Sequence, residues 1–169
     1  IPFYLLATHT PSWLTLAVFG AVQGANVVPL YIIGRQILRI GDYKLGAGTL
    51  ALLGQTGGLG LNLFGTHYYD NVLSLFAFTS LAIIVVNFQN LREGALWKAA
   101  LISLVAAFIT GMAVGLKLPE APFALGIAAA LIAVGGGWKH LSARVVAGAI
   151  GGAIGAAIFA APWMLQMDH

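Results

Sequence analysis

Apolar residues dominate six stretches of the chain, approximately 12–33, 45–65, 72–91, 97–116, 122–138 and 145–165. Each approaches the roughly 20 residues that a helix needs to cross a hydrocarbon core about 30 Å thick. Short connections between them hold the turn formers and the charges: GRQILRIGDYK, GTHYYD, NLREG, KLPEAP and WKHLSAR. No stretch alternates at the two-residue period of a barrel strand, and unpaired backbone is costly in lipid. The pattern therefore predicts an all-α integral membrane protein, a polytopic bundle of about six transmembrane helices forming one domain over 1–169.

Composition strengthens that expectation. Of 169 residues, 60% are hydrophobic and 8% charged, against about 25% charged in soluble domains. Thirteen charged side chains cannot cover the surface of a water-soluble fold of this size. Mean hydropathy is +0.93 and the sequence pI is near 9.5. The basic residues report topology here rather than nucleic acid. With six alternating spans, Arg35, Arg39, Lys44, Arg92, Lys98, Lys139 and Arg144 fall on one side, and only Lys117 on the other. The positive-inside rule makes the first side cytoplasmic and sends both termini outward. The expected location is a bacterial inner membrane, with the lipid bilayer as the principal partner. Trp13, Trp97, Trp138 and Trp163 fall at span ends, as an interfacial aromatic belt requires. The sequence opens on Ile1 with no n-region, h-region and cleavage site before it, so its first apolar stretch is not read as a signal peptide. IPFYLL is compatible with the tail of a preceding span.

Several chemistries lack their residues. There is no cysteine, hence no thiolate nucleophile, disulfide or iron–sulfur ligation. No serine elbow, Walker loop, dinucleotide fingerprint or carboxylate pair is present, and the five acids are placed in connections, so no enzymatic activity is expected. His9, His67 and Asp70 share the outer side without a helical pair of ligands, so neither a metal site nor a cofactor is expected. No ionisable residue falls near the centre of a span, which argues against proton-coupled transport.

What the spans do carry is amide, hydroxyl and glycine. Gln23, Asn26 and Pro29 form an i, i+3, i+6 row on one helix face, and Gln55 lies within the second span. Amides are costly against lipid, so Gln23, Asn26 and Gln55 are expected to face inward. Two roles remain open for them: hydrogen bonds that fix helix register, or the lining of a cavity for an uncharged hydroxylated solute. Pro29 lacks an amide hydrogen and releases the carbonyl of Ala25, which makes it a candidate hinge. Gly54 and Gly58 in the second span, and Gly148, Gly152, Gly151 and Gly155 in the sixth, are spaced i, i+4 for close helix packing within the bundle or against a neighbouring subunit.

Segments 32–58 and 134–160 echo each other, each a glycine-containing basic stretch followed by a glycine-rich helix. Pro29, the GRQILRIGDYK loop, GLNLFG at 60–65, Asp70 and the span ending NFQNLR together resemble the PQ-loop and SWEET class of three-helix repeats. Pro29 is followed by Leu30, so the Pro-Gln dipeptide of that class is absent, and the second half carries only a faint likeness. The resemblance implies a three-helix unit over 12–92, a linking helix over 97–116 and a partial second unit over 122–165. It also implies a small-solute transporter or facilitator, with Gln23, Asn26 and Gln55 binding the substrate. The alternative is a non-catalytic accessory subunit of a larger respiratory or photosynthetic membrane complex, associated with itself or with other membrane subunits.

Overall fold

The computed structural model describes residues 8–38, 43–56 and 70–167, and every regular element among them is a helix. In chain order these are α1 (Ser12–Gly24), α2 (Val27–Ile37), α3 (Tyr43–Gln55), α4 (Asp70–Val86), α5 (Phe88–Glu93), α6 (Leu96–Leu116), a 3₁₀ turn (Leu118–Glu120), α7 (Ala121–Ala133) and α8 (Trp138–Met167). Three stretches are long and apolar enough to cross a membrane: Ser12–Ile37, which is α1 and α2 together, Leu96–Leu116, and Trp138–Ala161 of α8. Shorter apolar helices occupy Leu45–Gln55, Val72–Val86 and Leu118–Ala133.

Each of the six apolar stretches thus contains a helix, but several ends differ from those expected. The first is broken at Ala25–Asn26. The third is interrupted at Asn87, whose side-chain Nδ2 bonds the Ile83 carbonyl at 2.9 Å and competes with the backbone ladder. The sixth begins seven residues early, so WKHLSAR is the first two turns of α8 and not a connection. The chain reverses instead at Gly135–Gly137, where Gly135 and Gly136 take φ of +74° and +91°. Side chains rarely adopt that backbone, and the left-handed residue after the last turn is a usual helix stop. A Cβ at Gly136 would also lie 2.7 Å from the Arg92 carbonyl.

Contacts divide the chain into two compact units, Ile1–Leu75 and Phe76–His169. In the first, α2 packs along α3 with Gly34 against Ala47, where a Cβ on Gly34 would sit 3.2 Å from the alanine methyl. Gly54 of α3 is exposed, and an added Cβ there would meet, among the described residues, Leu30 Cδ1 at 3.4 Å. Gly58 lies outside the described residues, as do GLNLFG and His67.

The second unit is organised by α6 against α8, the most extensive helix pair among the described residues. Four glycines make that approach possible, two from each helix. A Cβ on Gly151 would overlap the Leu104 carbonyl, one on Gly155 the Phe108 carbonyl, and one on Gly111 the Gly152 carbonyl. One on Gly115 would lie 2.5 Å from Ala156 O. Backbone therefore meets backbone over more than a full turn, and many close dispersion contacts hold the seam. Gly148 faces Leu131 of α7 instead, where an added Cβ would sit 3.1 Å from the leucine Cδ1. The remaining core joins Ile84, Leu91, Ala99, Ala106, Ile127, Leu131 and Val134.

A buried hydroxyl ladder pins α4 to α6. Ser80 Oγ lies 2.8 Å from both Phe76 O and Ala106 O and accepts from Thr110 Oγ1 at 2.7 Å. Both residues are essentially inaccessible, as is Ser103, which bonds Ala99 O at 2.8 Å. Ser80→Ala removes the only side-chain group of that pair that bonds the facing helix backbone. We expect a loss of about 1 kcal/mol, within the range of interhelical hydrogen bonds in apolar solvent, read as a shifted midpoint in an SDS titration of helicity. Ser103→Ala, whose bond stays within its own turn, serves as the smaller reference.

Candidate functional site at a broken helix

The break at Ala25–Asn26 lies at the centre of the Ser12–Ile37 stretch. Proline explains it. The Pro29 ring cannot donate and crowds the carbonyl four residues back, which is Ala25. The ladder responds by tightening: Ala25 N also reaches Val22 O at 3.2 Å, Asn26 N bonds Gln23 O at 3.3 Å, and Val28 N bonds Ala25 O at 3.0 Å. These are i→i+3 bonds, so the carbonyl released by Pro29 is recaptured by a 3₁₀-type turn. Regular i→i+4 bonding resumes with Leu30 N on Asn26 O at 3.3 Å.

One buried face runs through the break. Thr15, Phe19 and Gln23 of α1 continue into Asn26 and Pro29 at helical spacing, and all five are buried. Gln23 and Asn26 are 0% and 2% exposed, and Gln55 of α3 is 8% exposed. The structure therefore brings the four polar-site and hinge candidates, Gln23, Asn26, Gln55 and Pro29, onto one side of the break. Gln55 Nε2 donates to the Gln23 carbonyl at 3.1 Å. Asn26 Nδ2 donates to Ser74 Oγ, in the first turns of α4, at 3.1 Å. Further out along α1, Thr10 and Thr15 share a 2.7 Å hydroxyl bond. One amide donor, that of Gln55, thus reaches the main chain of the tightened turn directly, and a second, that of Asn26, ties the turn to α4.

A second polar centre lies in the other unit and was not foreseen. Arg144, counted in the sequence as a connecting residue, is fully buried in α8. Its guanidinium donates to three backbone carbonyls: Nε to Leu131 O at 3.0 Å, Nη1 to Leu91 O at 2.6 Å and Nη2 to Gly135 O at 2.6 Å. Leu131 and Leu91 belong to the last turns of α7 and α5, where carbonyls lack intrahelical partners and the helix dipole favours a cation. One turn earlier on α8, His140 Nε2 donates to Gly94 O at 2.8 Å, just past the end of α5. Two side chains of α8 therefore cap two helices. The planar fork of arginine suits three divergent acceptors, which a lysine ammonium does not. Exposed Arg92 pairs with its neighbour Glu93, at 3.3 Å, a contact worth little in solvent.

The same unit buries Glu120, 6% exposed, at the turn between α6 and α7. It also holds an apolar crevice of about 310 Å³ between α6, α7 and α8, lined by residues including Ala107, Thr110, Ala128, Gly148 and Gly152. Trp13, Trp97 and Trp138 are 71%, 65% and 79% exposed. Comparison with protein-family models, with curated proteins and with solved structures finds no match to this chain.

Proposed function

We propose that the protein is a small-solute membrane facilitator whose path passes the break in Ser12–Ile37. One observation carries this reading: the break is central in a 26-residue apolar stretch and is flanked by three buried amides and a proline. Non-helical backbone at membrane depth persists where protein buries it or where it lines a cavity. Discontinuous helices commonly build transporter sites near the bilayer midplane. The substrate class is an uncharged hydroxylated solute, which Gln23, Asn26 and Gln55 would bind through amide donors and acceptors, with Pro29 as the hinge. No ionisable side chain shares the buried face of α1 and α2 among the described residues, which favours passive passage. On this reading the chain crosses a bacterial inner membrane about six times, with its basic connections cytoplasmic. The likeness of 13–92 to the PQ-loop and SWEET class supports the same assignment.

Reconstituted proteoliposomes test it. Osmotic shrink–swell with glycerol, larger polyols and monosaccharides should show at least one solute equilibrating faster than in protein-free vesicles. Failure across the whole panel would remove the assignment.

A second reading, an accessory subunit of a larger membrane complex, draws on different observations. The apolar crevice of the second unit and the exposed row Val146, Ile150, Ile154 and Ile158 on α8 offer apolar contact surface. Purification from the native membrane in mild detergent decides between the two: a stoichiometric complex favours the subunit, and a lone chain or homodimer favours the facilitator.

A further inference from the structure

We propose that the crevice between α6, α7 and α8 binds an anionic phospholipid, with one acyl chain lying along the crevice and the phosphate beside Lys139 at the start of α8. The proposal rests on the placement of the chain in a membrane. It is independent of the facilitator reading, because every residue it uses belongs to the second unit.

Three observations converge on it. First, the crevice is apolar along its length. Among the described residues that line it, Thr110 alone carries a polar side chain, and its hydroxyl is committed to Ser80 at 2.7 Å. The glycine seam explains why the space exists. α6 and α8 meet backbone to backbone, and the wall that α7 turns towards them includes Ala124 and Ala128, whose side chains end at a methyl group. Atoms along such a gap lack partners on one side, and a bound chain restores those dispersion contacts.

Second, its dimensions select the occupant. About 310 Å³ lies along α8 from Val145 to Ala156. At the helical rise that length is about 16 Å and the mean cross-section about 20 Å², room for one extended hydrocarbon chain. A partner helix, about 10–12 Å across with its side chains, is too wide to enter.

Third, the two ends differ in charge. Trp138 lies two turns before Val145 on the same face of α8 and is 79% exposed, and an indole suits the headgroup layer. Lys139 follows it, exposed and with no ion pair among the described residues. Its stem is long enough to bring the ammonium to a phosphate beside the indole. Exposed Arg92 and Lys98 belong to the same end, since Gly136 approaches the Arg92 carbonyl and His140 bonds Gly94 O, four residues before Lys98. Glu93, the acid beside them, is paired with Arg92. Beyond the opposite mouth, at Val114 and Ala124, stand Lys117 and Glu120, whose formal charges cancel. An anionic headgroup is therefore drawn to the start of α8.

Native mass spectrometry of the full-length protein in mild detergent tests this, with phosphatidylglycerol and phosphatidylcholine of identical acyl chains supplied in equal amounts. Wild type should retain one phosphatidylglycerol per chain in preference to phosphatidylcholine. Ala149→Phe, at an exposed position of the lining, fills the crevice and should lower retention of both lipids by about tenfold or more. Ala128→Leu fills it from α7 and should repeat the loss, so a folding defect in one variant leaves the test intact. Ile150→Phe, the next residue on α8 and outside the lining, should retain lipid as wild type does. Lys139→Gln should lower the preference for phosphatidylglycerol about fivefold, the effect of one cation near a headgroup, with phosphatidylcholine retention unchanged. Wild-type retention by both Ala149→Phe and Ala128→Leu would overturn the crevice site, and equal retention of the two lipids by wild type would overturn the anionic headgroup. A second protein held in stoichiometric amount in place of lipid, and lost in Ala149→Phe, would assign the crevice to a subunit contact instead. Release of the chain from membranes without detergent would remove the membrane placement itself. Solute flux bears on none of these outcomes, so the lipid site and the facilitator reading fail separately.

Discussion

Gly151→Val should cost about 3 kcal/mol or more. Overpacking of a close-packed core usually costs about 1–3 kcal/mol because neighbours shift or change rotamer. Here the first atom met is the Leu104 carbonyl oxygen, which belongs to the backbone of α6 and has no rotamer to adopt. Relief requires moving two long helices apart, and that would loosen the contacts at Gly111, Gly155 and Gly115 together. A shift of the midpoint in SDS titration of helicity, at constant micelle composition, reads the loss. Gly48→Ala is the matched control: a Cβ there meets nothing within 4 Å, so better helix propensity should leave stability unchanged or raise it by about 0.5–1 kcal/mol. Equal effects of the two substitutions would mean that the seam between α6 and α8 is not formed as described.

Arg144→Met should cost a similar amount. It keeps a long flexible side chain in the same space and removes three donors at once. The carbonyls of Leu91, Leu131 and Gly135 would then be left with no donor from α8, and each unsatisfied buried acceptor costs about 1–3 kcal/mol. Part of that is offset because the methionine no longer holds a charge out of water. The net expectation is a loss of about 3 kcal/mol, concentrated at the ends of α5 and α7, where amide hydrogen exchange should accelerate first. Arg144→Lys should recover only a minor part, because one ammonium cannot reach three acceptors on separate segments. The effect should be insensitive to salt, since no carboxylate takes part in these three bonds. Full stability of Arg144→Lys would mean that charge alone, without the fork geometry, holds this junction.

Much of the architecture was legible in the pattern of apolar residues. The i, i+3, i+6 spacing of Gln23, Asn26 and Pro29 identified a buried face, and the structure extends it back through Phe19 and Thr15. Proline chemistry pointed to the Ala25 carbonyl, and the break is there. The partner of Gln55 was not legible, because its acceptor is a main-chain oxygen 32 residues away and only tertiary packing brings the two together. The glycine seam was half visible: Gly151 and Gly155 stood out in a glycine-rich segment. Gly111 and Gly115 have the same i, i+4 spacing, but they are separated by Met112, Ala113 and Val114 and drew no notice.

Arg144 was misplaced for an instructive reason. The apolar pattern carries the fifth span through the three glycines to 138, and the two basic residues, histidine and serine of WKHLSAR then read as the connection. Yet only the glycines need the reversal, and Trp138 onward has no helix breaker until Pro162. The charge count that supported one side of the bundle also concealed that one of its members is buried as a cap. In the described structure Arg92, Lys98, Lys139 and Arg144 still gather where α5, α7 and the start of α8 meet, with Lys117 at the opposite end of α6.

The account stands or falls on whether the amides at the break contact a solute. Flux into proteoliposomes, compared between wild type and Asn26→Leu for the fastest solute of the panel, measures this most directly. Losing an amide contact worth about 1.4 kcal/mol corresponds to about a tenfold slower flux, and that is the expected result, with helicity unchanged and a stability loss of only about 1 kcal/mol from the missing Asn26–Ser74 bond. Undiminished flux in a folded Asn26→Leu protein would contradict it and return Gln23, Asn26 and Gln55 to a purely structural role at the bend.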